Sequence, residues 1–239
     1  MDQPQITFLF VVNGPTVEGR KSAWVGFDRA YIKRRDGLAR CIAAALWKNT
    51  LGHGADGVTT DSDAAALANA HCWLLFEEES TLIRLNSERF VPRCKNATEF
   101  EILNALERAI NGQLAGCDTL ARKSVPDLAS AIFEGLDPSK TIVVELHDSF
   151  AKMLPVYVDA GKGTAEAGVK SPLIILGCVQ DHLETITTLL QTAHEASFPV
   201  RSVVVHLYPI PNILTQALLT SGKLISGPWL SFRPRSLKS

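Results

Sequence analysis

The 239 residues carry 24 basic and 25 acidic side chains for a net charge of −1, with 46% apolar and 21% charged residues. This balance excludes disorder, a collagen-like repeat and a globally basic nucleic-acid coat. A chain of this length buries roughly 70–75% of its extended surface and needs no staples. Five cysteines (Cys41, Cys72, Cys94, Cys117, Cys178), an odd number without a C-x-x-C pair, argue against a disulfide framework or zinc ribbon and for a reducing compartment.

Five short apolar runs read as strands buried on both faces, and segments of helical spacing separate them. In chain order, Ile6 to Val12 is a strand that ends in Asn13-Gly14-Pro15. Asp36 to Leu51 is a helix with Leu38, Ile42, Leu46 and Trp47 on one face. Gly52 to Ala70 reads as a loop, and Cys72 to Phe76 as the second strand. Ala97 to Ile110 is a helix capped by Thr98, with Phe100, Leu103, Leu106 and Ile110 as its apolar stripe. Val125 to Phe133 is a helix, Thr141 to Leu146 a strand, and Asp159 to Ser171 a second soft loop. A strand at Leu173 to Leu176, a helix at Asp181 to Glu195, a strand at Ser202 to Leu207 and a helix at Asn212 to Leu219 complete the set. Alternating strands and helices predict one α/β domain over residues 1–239, a mostly parallel sheet with helices on both faces and a basic tail at about 223–239. No run approaches 18 apolar residues, and the start, Met1-Asp2-Gln3-Pro4-Gln5, lacks a basic n-region. The expectation is a protein that neither spans a membrane nor is secreted, in the cytoplasm or an organelle interior, the mitochondrial matrix included.

The usual nucleotide and hydrolase fingerprints are missing: there is no G-x-x-x-x-G-K-[ST], no G-x-G-x-x-G after a strand, no H-E-x-x-H and no G-x-S-x-G. The six histidines show no metal-ligand spacing, so no metal is expected. Charge clusters in two places. From Arg20 to Arg40 seven basic residues face two acidic ones, and Lys223, Arg233, Arg235 and Lys238 close the chain with no acid after Glu195. Such clusters can neutralise phosphates, although charge by itself is also what a solvated surface shows. Two strand ends suggest a ligand crevice: Leu176-Gly177-Cys178, where glycine admits close backbone approach, and Leu207-Tyr208-Pro209-Ile210-Pro211, stiffened by prolines.

The order of several segments resembles a known family. Arg34-Arg35-Asp36-Gly37-Leu38-Ala39-Arg40-Cys41 is similar to an R-x-D-x-L-A-R-C helix start, and Thr81-Leu82-Ile83-Arg84 to a T-I-R. Leu146-His147-Asp148 is similar to L-H-E-D, Leu173 to Gly177 to F-V-L-G, and Leu207-Tyr208-Pro209 to L-G-P. Collinear over roughly residues 6 to 222, these resemble the archaeal tRNA pseudouridine-54 N1-methyltransferases of the knotted SPOUT class. The resemblance implies a C-terminal trefoil knot, a homodimer and S-adenosylmethionine as cofactor, held by backbone groups at Leu146, Leu176, Gly177, Cys178, Leu207, Tyr208 and Pro209, with Leu214 beside them. It implies RNA, tRNA or rRNA, as partner, with Arg34, Arg35, Arg40 and Arg84 on phosphate and Asp36 as the proton acceptor. The expected activity is methyl transfer to a uridine or pseudouridine nitrogen.

Three departures carry an alternative, a catalytically degenerate RNA-binding factor for ribosome assembly. Cys178-Val179-Gln180 intervene before Asp181-His182, where the family has D-H directly after L-G; Tyr208 replaces a glycine; and Ala217 replaces a cysteine.

Overall fold

The computed structural model describes residues 5–12, 35–47, 69–94, 98–115, 117–148, 171–177 and 182–205, and only the backbone of 35, 36, 146–148 and 202–205. β1 (Ile6–Val12) is buried along its whole length, as its unbroken apolar run requires. Its side chains alternate between two layers: Ile6, Phe8, Phe10 and Val12 enter one core cluster, Leu9 and Val11 the other. β2 (Ala70–Phe76) lies parallel on one side of β1, from Ile6↔Ala70 to Val12↔Phe76. β6 (Ser171–Gly177) lies parallel on its other side, from Thr7↔Leu173 to Val11↔Gly177. β5 (Thr141–Asp148) and β7 (Val200–Val205) continue outward, both parallel. β3 (Thr81–Asn86) and β4 (Asp118–Ala121) add an antiparallel margin beyond β2. The order among the described residues is β4-β3-β2-β1-β6-β5-β7.

α1 (Arg35–Leu46) buries Leu38, Ala39, Cys41, Ile42, Ala45 and Leu46, a stripe at helical spacing, on the first layer. α2 (Ser87–Phe90) is a single turn whose Phe90 meets Trp47 edge-on at 6.4 Å. α3 (Glu99–Ile110) joins α1 on that face, and the expected Thr98 cap is present, its hydroxyl accepting from the Glu101 N–H at 3.3 Å. The helix stops in a Schellman turn: the Gln113 N–H donates to the Arg108 carbonyl at 2.8 Å and Gly112 takes φ +67°, a left-handed conformation that glycine adopts without strain. α4 (Val125–Glu134), capped by Ser124, and α5 (Leu183–Glu195) cover the second layer.

The five expected strands are present, Ile6–Val12 with the expected bounds and the others with shifted ends, and so are the four expected helices that fall on described residues. The sheet is mostly parallel, as expected; β3 and β4, which the apolar runs did not indicate, add the two antiparallel strands at one margin. Phe100 also differs from the expected stripe. It is 57% exposed, because α3 buries Ile102, Leu103, Ala105, Leu106 and Ala109, which centre on nearly the opposite side of the helix. The helix expected at Asn212 to Leu219, the tail at 223–239 and most of both soft loops lie outside the described residues. No described helix is long and apolar enough to cross a membrane.

Candidate functional site

β1 leads to α1 on the first face, and β6 leads to α5 on the second. Where neighbouring parallel strands send their helices to opposite faces, their carboxyl ends part and leave a crevice lined by backbone groups. Here those neighbours are β1 and β6.

At this edge three side chains converge from distant parts of the chain. Glu77 directly follows β2, and its N–H donates to the carbonyl of Val12, the last residue of β1, at 3.3 Å. Its carboxylate continues the parity of Trp73 and Leu75 and so faces the second layer. There Glu77 Oε1 lies 3.0 Å from His182 Nδ1, and Oε2 accepts from the Thr185 hydroxyl at 2.8 Å. The His182 side chain is 1% exposed and that of Glu77 26%. An ionised carboxylate only accepts, so Nδ1 carries the hydrogen and, in the neutral ring, Nε2 is the nitrogen with the lone pair. With both oxygens engaged, Glu77 orients the imidazole and the hydroxyl. His182 forms the N-cap of α5 in a left-handed conformation, φ 40° and ψ 38°, with no side-chain hydrogen bond to the helix start. Sequence reasoning missed this trio. Its only local signals are the acidic run Glu77-Glu78-Glu79 after a strand and the displaced Asp181-His182 pair.

The residues expected from sequence distribute as follows. Leu176 and Gly177 end β6; Leu176 is buried in the first layer, so only its backbone is presented at the edge, whereas Gly177 is half-buried beside Val11. Leu146 lies near the end of β5, in register with Val203 of β7, and β5 stands between β6 and β7. The carboxyl ends of β6, β5 and β7 are therefore adjacent along one edge. Arg35 and Asp36 open α1, whose start follows the carboxyl end of β1. Arg34, Cys178, Leu207, Tyr208, Pro209 and Leu214 lie outside the described residues.

Arg40 projects from α1, and its Nε donates to Glu99 Oε1 of α3 at 2.6 Å, with the two side chains 44% and 48% exposed. This partner comes from the neighbouring helix, 59 residues away in sequence. Arg84 is on the other face, its guanidinium 4.7 Å from the centre of the Trp73 ring. Burial lowers its pKa, with Asp118 across the strand pair opposing that shift. The structure thus does not bring Arg84 to Arg40.

Two thiols are chemically quiet. Burial pushes Cys94 up to about 12 and Cys117 up to about 11, so neither is a thiolate nucleophile near neutral pH. A cavity of about 430 Å³ lies at the opposite edge, where the ends of α4 and α5 approach the starts of β5 and β7; Phe133, Leu136, Phe198, Glu134 and Glu195 help line it. None of the expected site residues borders it. No protein-family model matches this chain, and no curated protein matches it either.

Proposed function

We propose that the chain is an S-adenosylmethionine-dependent RNA methyltransferase acting on a base nitrogen of a uridine or pseudouridine. The observation that carries the reading is the adjacency of β6, β5 and β7, because the three segments singled out in the sequence for the cofactor leave the sheet from these strands. Gly177 suits that role, since it ends its strand half-buried and offers backbone without a side chain. Leu146, Leu176, Gly177 and the segments through Cys178 and through Leu207, Tyr208 and Pro209 would hold the cofactor, with Leu214 beside them. When bound, S-adenosylmethionine supplies an electrophilic methyl group. Asp36, in the first turn of α1, takes the proton from the target nitrogen, and Arg34, Arg35 and Arg40 hold the phosphates of the RNA. Orientation of donor and acceptor supplies most of the rate, so little covalent help is asked of the protein.

A threaded C-terminus belongs to the same proposal. Asp148 is in register with Val205, so the carboxyl ends of β5 and β7 are neighbours. So does a homodimer, which a strict 26 kDa species in light scattering at micromolar concentration would overturn. The second reading, a degenerate RNA-binding assembly factor, is favoured by Cys178-Val179-Gln180, Tyr208 and Ala217. Calorimetric titration of the full chain with S-adenosylmethionine decides between them. Saturable binding supports the methyltransferase. No heat, with RNA binding retained, moves the assignment to the second reading. Loss of both binding activities overturns each.

A further inference from the structure

We propose that Glu77 is a positioning residue, whose carboxylate sets the turn at His182 and with it the placement of the start of α5 beside the ends of β1 and β2. Three observations converge on this role. The carboxylate uses both oxygens, one on His182 Nδ1 at 3.0 Å and one on the Thr185 hydroxyl at 2.8 Å. Its two partners stand three residues apart at the start of α5, so the contact fixes the rotation of the first helical turn as well as its distance from β2. His182 occupies a left-handed conformation that a side chain with a Cβ adopts only when its surroundings over-determine it. Glu77 is itself anchored: its N–H donates to Val12 and its carbonyl accepts from the Ser80 N–H at 3.2 Å. One residue thus links the ends of β2 and β1 to the start of α5, bracketing the crevice between β1 and β6.

The consequence for ligand binding rests on the reading of Gly177 and its neighbours as a cofactor contact. Glu77 fixes the place of His182 and the start of α5 at the same edge of the sheet as Gly177, so loosening that contact weakens binding at this edge.

The test uses the full chain with Glu77→Ala, which removes both contacts, and Glu77→Gln, which keeps an acceptor for His182 and a partner for Thr185 but removes the charge. Two readouts are taken well below the melting transition: S-adenosylmethionine affinity by calorimetry, and hydrogen exchange at the Ile186 amide, which donates to the His182 carbonyl at 3.0 Å. The expected result is affinity weakened about tenfold or more in Glu77→Ala and restored to within about threefold in Glu77→Gln. Exchange at Ile186 should accelerate in the alanine variant well beyond any change at the amides of β1. If the parent binds no S-adenosylmethionine, the methyltransferase reading falls, and Ile186 exchange alone decides the positioning role. Exchange at Ile186 that changes no more than in β1 overturns the proposal, as does parental affinity in Glu77→Ala.

Discussion

Two contacts between a carboxylate and a nitrogen base join separate elements on opposite faces of the sheet. Arg40–Glu99 is the shorter, at 2.6 Å, and both side chains are nearly half exposed. Glu77–His182 is longer, at 3.0 Å, with the imidazole almost wholly buried. Distance therefore misranks them. Water and ions screen the first pair, and holding two long side chains together costs entropy. The second is cut off from solvent on its histidine side, so its loss leaves a buried polar group with one hydrogen bond fewer. The exposed Arg40–Glu99 contact can be given up at little cost, whereas the face that carries His182 cannot release Glu77 without rearranging.

The contrast can be broken or sharpened by mutation, the largest effect first. Glu77→Ala is expected to cost about 1–3 kcal/mol in urea denaturation, because it deprives both His182 and Thr185 of an acceptor. Thr185→Val keeps the shape and removes one donor to a partly exposed carboxylate, for about 1 kcal/mol. A Thr185→Val effect larger than that of Glu77→Ala would show that the hydroxyl, and not the imidazole contact, holds the turn. A double-mutant cycle on Arg40→Ala and Glu99→Ala is expected to return about 0.2–1 kcal/mol of coupling, shrinking as salt rises. On the proposed RNA reading, Arg40→Ala lowers the salt slope of RNA binding by about one phosphate contact. The smallest effect concerns His71, which lies at the other end of β2. Burial lowers its pKa, and Glu88 only partly opposes this. The unfolded chain then takes up this proton more readily than the folded one, so stability falls as pH drops below about 6.5. His71→Gln should flatten the decline of the urea midpoint between pH 7 and pH 5; an unchanged slope would assign the decline to other groups.

What the sequence made legible follows from what the sheet buries. The five parallel strands are continuous apolar runs because both faces are covered, and their ends were placed within a few residues. β3 escaped notice because Thr81-Leu82-Ile83-Arg84-Leu85-Asn86 mixes polar and apolar positions, as a strand near a sheet margin does. β4, Asp118-Thr119-Leu120-Ala121, is largely exposed and has no pattern of its own; pairing with β3 makes it a strand. At the site, the glycine that ends β6 was visible because backbone punctuation is local. The pairing of Glu77 with His182 was not, since 105 residues separate them and nothing in either segment names the other. Arg40 shows the same limit, because Glu99 is 59 residues away and is brought near only by the packing of α1 on α3. Arg84 is expected from the sequence on RNA phosphate, and only the sheet shows that Trp73 lies beneath it.

The position of β1 has a consequence for biosynthesis. Its partner on one side, β2, is complete by residue 76, but its partner on the other side, β6, begins only at residue 171. At synthesis rates of about 5–20 residues per second, the intervening stretch of about 95 residues takes roughly 5–20 s to emerge. During that interval the nascent chain holds an apolar strand, Ile-Thr-Phe-Leu-Phe-Val-Val, whose second row of backbone donors and acceptors has no native mate. Until β6 arrives, that edge is open to pairing with another chain, and a chaperone that shields it would protect the nascent protein.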